Sequence, residues 1–176
     1  MKNYFKVFPA LFFFYLFIQP VYGQDFVQDI LAEIEYVQGQ VLQLAEAMPE
    51  DKYSWRPGEG VRSVGEVFMH IGAGNYFSLS FVGGSLPEGF SEDTDKSKTK
   101  KSEIIEWLKE SYTHVKNHIS GLKEEDLNKP VDFFGNKSNG RRMVLLCLYH
   151  NHEHLGQAIA YARVNGIVPP WSQAQK

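Results

Sequence analysis

From Phe26 to Met48 the apolar side chains fall at Val27, Ile30, Leu31, Ile34, Val37, Val41, Leu44, Ala45 and Met48. That spacing of three and four is the period of a helix with one buried face, and a strand cannot use it. The same period returns in three more stretches. From Ser63 to about Val82 it places Val64, Val67, Phe68, Ile71 and Phe77 on one stripe, interrupted by His70. From Lys100 to Ser120 it places Ile104, Ile105, Leu108, Tyr112, Val115 and Ile119 together. The last stretch runs to Asn165, and its span from Met143 onward has no proline and one interior glycine. Each stripe must be buried against another helix, so the sequence predicts an all-α domain, a four-helix bundle.

The ends of these helices are legible too. Pro49 closes the first. Ser63 followed by Glu66 has the capping-box pattern that opens the second, and Gly83-Gly84 stops it. Gly121 is placed to cap the third, and Gly166 ends the fourth ahead of Pro169-Pro170. Leu86 to Lys101, rich in proline, glycine and charge, reads as an exposed loop and the best site for mobility. Leu122 to Gly140 reads as irregular, and no stretch shows strand-like alternation.

At 176 residues and 43% hydrophobic the chain can bury a real core. Its net charge of −3 is spread over both signs without a basic block, which argues against nucleic acid as a partner. Residues 1–23 read as a cleavable secretory signal: Lys2 and Lys6, an apolar run from Val7 to Ile18, then Val21-Tyr22-Gly23. That run is shorter than the roughly 20 residues a spanning helix needs. The expected mature domain is residues 24–176, periplasmic or secreted, and without a stable membrane anchor after cleavage. The only cysteine, Cys147, excludes a disulfide within the chain and reads first as a small buried group, second as a reactive or metal-binding thiol.

Chemistry concentrates in Tyr149-His150-Asn151-His152-Glu153-His154-Leu155-Gly156-Gln157. At about 100° per residue, His150 and His154 share one side of the helix and His152 points away. Two imidazoles one turn apart can converge on one divalent ion, but a third ligand must come from elsewhere. His70, beside the buried stripe of the second helix, is the candidate, although alone it also reads as a hydrogen-bonded core histidine. Gly74, one turn after His70, would let a neighbouring helix approach closely. In the competing pair, His118 lies at the edge of the apolar stripe of its helix and His114 well outside it, so a site there is expected to face solvent.

These residues carry a resemblance. A first amphipathic helix, Trp55-Arg56-Pro57 in the connector, Ser63 opening a helix with His70, then His150-x-x-x-His154-x-Gly156-Gln157, Gly166 and Pro169-Pro170 resemble the DinB/YfiT-like family of damage-inducible bacterial proteins. The likeness covers about residues 25–170. It implies a four-helix bundle holding a divalent metal through His70, His150 and His154. Some members of that family are metal-dependent thiol-S-transferases or isomerases that use low-molecular-weight thiols, and many have no established reaction. Such thiols are cytosolic, whereas this chain reads as exported.

Three neutral imidazoles leave a fourth coordination position open, as in catalytic zinc sites. Bound water there can act as a nucleophile, or a thiolate can take the position. Zinc is the first expectation, with nickel, manganese or iron as alternatives. Glu153 is the candidate base or acceptor of a ring N–H, against a solvent-facing charge. Gln157 is the candidate for orienting a ligand water or substrate, against an interhelical hydrogen bond. Trp55 and Tyr161 read as packing. The leading expectation is therefore an exported metal-dependent hydrolase or transferase acting on a small molecule, with a homodimer compatible with the sequence. The alternatives are a metal-binding or stress-associated bundle without turnover and a helical interaction module without metal.

Overall fold

The computed structural model describes residues 25–173; the expected signal segment, residues 1–23, lies outside them. Helix α1 (Phe26–Ala47) starts where the Asp25 carboxylate accepts the Val27 N–H at 3.0 Å. Helix α2 (Val64–Ser80) opens on the expected capping box. The Glu66 N–H donates to Ser63 Oγ at 3.2 Å, and the Ser63 N–H donates to Glu66 Oε2 at 2.7 Å. It is stopped where Gly83 takes a left-handed φ of +91°, which turns the Gly84 N–H back onto the Leu79 carbonyl at 2.8 Å. Helix α3 spans Lys101–Ser120.

The stretch read as irregular is not. It forms a short helix α4 (Glu124–Asn128) and a hairpin, β1 (Pro130–Phe133) with β2 (Asn136–Asn139), paired antiparallel from Pro130 opposite Asn139 to Phe133 opposite Asn136. Four residues are too few to show alternation against background, and Pro130 at the head disguises the first strand. At the turn, Phe134 and Gly135 both sit at positive φ, 52° and 80°, as a two-residue type I′ hairpin requires. Helix α5 (Gly140–Val164) follows, capped by Asn139, whose side chain accepts the Arg142 N–H at 3.0 Å. Among the described residues, no helix is long and apolar enough to cross a membrane.

Helices α1 and α2 each pack against both α3 and α5, which separate them. The periodic residues form the core: Ile34, Phe68, Leu108 and Val144 have no exposed surface. Each such side chain contributes roughly 1.5–3 kcal/mol relative to leaving it in water. Helix α2 departs from the expected single stripe. Met69, Ala73, Asn75 and Ser78 are buried alongside the stripe residues, so the helix is covered on nearly every side.

Part of that cover is the loop expected to be exposed and mobile. Its turn at Thr94–Lys96 packs on α2, with Thr94 buried. Most of the loop is exposed as expected; this turn is the exception, held by the contacts of Asp95 with Arg62 and His70.

A polar network ties α2, α3 and α5 together inside the core. Tyr112 Oη donates to Asn151 Oδ1 at 2.6 Å, Asn151 Nδ2 donates to Asn75 Oδ1 at 2.6 Å, and Asn75 Nδ2 donates to Ser111 Oγ at 3.1 Å. Cys147 belongs here. Its thiol lies 3.4 Å from Asn75 Oδ1, and burial pushes its pKa up to about 12, so it stays protonated and inert. The small-buried-group reading holds.

Candidate metal centre

Helix α5 runs unbroken through its histidines, so His150 and His154 stand one turn apart with ring centroids 4.5 Å from each other. His70 arrives from α2, its centroid 4.9 Å from His150 and 4.5 Å from His154. Gly74 makes that approach feasible. A Cβ there would overlap the His150 ring, so the bare backbone of α2 is the surface on which that imidazole rests. Gly72 does the same for Trp107, whose indole N–H donates to the Met69 carbonyl at 3.0 Å.

One ligand atom from each of His70, His150 and His154 lies within 4.8 Å of the other two, a group that could hold a metal ion. The hydrogen bonds assign the ring protons. His70 Nδ1 sits 3.0 Å from Asp95 Oδ2, so this nitrogen carries the proton and Nε2 keeps its lone pair. His154 Nδ1 lies 2.8 Å from Gln157 Oε1, while Gln157 Nε2 donates to Tyr161 Oη at 2.9 Å; the lone pair of His154 is therefore also on Nε2. His70 Nε2 and His150 Nε2 are 3.2 Å apart. Two nitrogens each about 2.0–2.1 Å from a tetrahedral ion stand roughly 3.4 Å apart, so the spacing of the His70 and His150 pair fits such an ion, and the His154 ligand atom lies within 4.8 Å of both. His150 Nδ1 is buried without a hydrogen-bond partner among the described residues.

The electrostatics favour neutral imidazoles at the two histidines of α5. Burial, and then the neighbouring His154 and His70, push the His150 pKa down to about 3. Burial also lowers that of His154, against the opposing bond to Gln157. Burial works against the Asp95 carboxylate as well. The hydrogen bonds and charges of His70 and Arg62 outweigh it and hold the Asp95 pKa below the usual range. Arg62 Nε reaches the same oxygen, Oδ2, at 2.8 Å.

The other expectations sort as follows. Gln157 bonds along its own helix to His154, not between helices, and so orients a ring of the cluster. Glu153 is exposed and makes no hydrogen bond to a ring nitrogen among the described residues. The carboxylate in that position is Asp95, which sequence reasoning missed, because nothing local separates it from Glu92 or Asp93 in an acid-rich loop. His152 is exposed as expected. His118 and His114 stay apart from the cluster, but they do not simply face solvent. His118 Nε2 lies 3.1 Å from the Val82 carbonyl, and His114 is half-buried against Tyr76, centroids 4.8 Å apart. Their rings are parallel within 10°, centroids 5.9 Å apart. Tyr161 packs edge-on to Trp55 at 5.4 Å.

Two cavities adjoin one another beside the cluster. One, of about 440 Å³, has His70 and His150 in its lining and Phe77, Phe90, Phe133 and Leu146 as apolar walls. The other, of about 620 Å³, is polar, lined by Arg56, Glu66, Lys96 and Gln157 among others. Arg62, Glu92 and Asp95 line both.

Two expectations follow from this geometry. Asp95→Asn keeps the size of the side chain but removes the charge that fixes the His70 tautomer. Zinc affinity should drop about 10–100-fold, the usual cost of losing such a partner; competition with a chromogenic chelator reads it, and unchanged affinity would show that Asp95 does not orient the ligand. The second concerns acid. Between the ordinary histidine value of 6.5 and about 3, the unfolded chain binds a proton at His150 that the native state refuses. Stability of the metal-free protein should therefore fall as pH drops through that window, by up to about 1.4 kcal/mol per pH unit for one such group. His154 and Asp95 act with the same sign. Melting temperatures at pH 7.5, 6 and 5 that stay level or rise would refute it.

A family model described as the DinB superfamily matches residues 33–158. Uncharacterized protein YjoA of Bacillus subtilis is 28% identical over 128 residues, covering 70% of this chain and 80% of that protein. A solved DinB-like protein from Bacillus cereus superposes with a TM-score of 0.71 at 21% identity, covering 81% of this chain and 95% of the other. The solved YjoA from Bacillus subtilis gives 0.65 at 23% identity, over 84% and 99%.

Proposed function

Because this chain belongs to the DinB superfamily, we propose that it is an exported divalent-metal protein whose three histidines hold a catalytic ion, zinc first, for hydrolysis or group transfer on a small molecule. The observation that carries this is the arrangement of His70, His150 and His154 beside a cavity, with no fourth His, Cys, Asp or Glu completing the group among the described residues. An ion held there would supply a Lewis acid and a bound water of lowered pKa. The chain's own part is to keep the His150 and His154 rings neutral, to fix His70 and His154 through Asp95 and Gln157, and to limit water on the apolar side. The export half of the proposal rests on residues 1–23, and mass spectrometry of the exported protein should find a start near Gln24.

A metal-binding bundle without turnover is the second reading. In its favour, the expected base Glu153 is exposed and unpartnered at the cluster. Metal analysis of protein purified without a His-tag tests the shared premise. Ester, amide, phosphoester and thiol-transfer assays across zinc, nickel, manganese and iron then separate the two. A metallated protein inactive in all of them supports the second reading, and a protein that never retains a stoichiometric ion overturns both.

A further inference from the structure

The apolar chamber is walled by Phe77 from α2, Phe90 from the loop, Phe133 from β1 and Leu146 from α5, with His70 and His150 exposed along one side. Its volume of about 440 Å³ lies within the usual range of small-molecule sites, about 300–1,000 Å³. Among the described residues, Arg62 is the only arginine or lysine in its lining. The Nε of that residue donates to Asp95 at 2.8 Å, which fixes the plane of the guanidinium. Its two Nη groups donate to nothing among the described residues, although a planar fork of this kind matches a carboxylate. Glu92 stands on the same rim, exposed and without a side-chain hydrogen bond among the described residues, and its charge weighs against a ligand of more than one negative charge.

We propose that this chamber is a substrate subsite for a monoanionic apolar acid, an aryl or branched-alkyl carboxylate. Its hydrocarbon body lies among Phe77, Phe90 and Phe133, and its carboxylate lies on the Nη edge of Arg62. The molecule is thereby laid across the face of the histidine cluster. This names a substrate class and rests on the cluster being a reactive centre, but the subsite itself is built from side chains alone and needs no ion.

The test is calorimetric titration of 3-phenylpropionate, 3-phenylpropan-1-ol and phenylsuccinate into metal-free and zinc-loaded protein. The monoacid should bind the metal-free protein about tenfold more tightly than the alcohol, the usual worth of one charge-assisted hydrogen bond. The diacid should bind more weakly than the monoacid. Arg62→Gln should erase the preference for acid over alcohol, Arg62→Lys should restore part of it, and Phe90→Ala should weaken acid and alcohol alike. If Arg62→Gln does not fold, the ligand comparison on wild type and Arg62→Lys still decides. Equal binding of acid and alcohol, an acid affinity indifferent to Arg62, or acid binding that appears only with zinc would each overturn the proposal. Zinc content of the same samples keeps the two readings distinct: a protein that binds the acid but never retains zinc refutes the metal reading and leaves the subsite standing.

Discussion

His150→Ala is expected to strip the protein of its metal and of any metal-dependent turnover. Three imidazole nitrogens hold an ion in an open tetrahedral site; two from separate helices do not hold it at ordinary concentrations. His150 is the histidine to remove because its ring is the one seated where α5 meets α2. Its Nε2 lies 3.2 Å from that of His70, and its ring rests on the bare backbone at Gly74. The fold should survive the change, since no hydrogen bond other than the one to His70 depends on this ring among the described residues. Metal content by mass spectrometry should fall from about one ion per chain to near none. His114→Ala, His118→Ala and His152→Ala should leave it unchanged. Retention of the ion by His150→Ala, or its loss from any of those three, would mean that another set of residues binds it.

The second large effect is expected from a single methyl group. Gly74→Ala should lower both stability and metal affinity, although alanine is the better helix former by about 1 kcal/mol. The added Cβ would occupy the space of the His150 ring. Either the ring turns out of the cluster or α2 and α5 move apart, and overpacking of this kind typically costs about 1–3 kcal/mol. Gly156→Ala is the matched control, because a Cβ there meets nothing within 4 Å. That variant should gain up to about 1 kcal/mol and keep the metal. If thermal melts and chelator competition place the two variants together, close helix approach at Gly74 is not what seats the ligand.

The histidine cluster was legible because its parts are local. The spacing of His150 and His154 along one helix fixes their common side, whatever the rest of the chain does. The interruption of the α2 stripe by His70, with Gly74 one turn on, marked where a second helix could meet them. Resemblance to a family assembled these into one site, and the geometry brings them within reach of one another. The hairpin was missed for a different reason. Strands of four residues have no period to detect, and what makes them pair is the positive-φ turn at Phe134-Gly135.

By itself, the sequence determined what repeats along the chain or follows a fixed local pattern: the four long helices, the capping box at Ser63 and Glu66, and the shared face of His150 and His154. Only the tertiary structure decided which carboxylate serves the cluster. Glu153 is adjacent to His154 in sequence, yet the helix turns it to solvent; Asp95 lies 25 positions from His70, and the loop turn at Thr94–Lys96 carries it to 3.0 Å from the ring. Helical period constrains the direction of a side chain relative to its own axis. It says nothing of what a loop lays against that helix, because a loop's position follows from the partners it finds, here Arg62 and His70, and those partners exist only once the chain has folded.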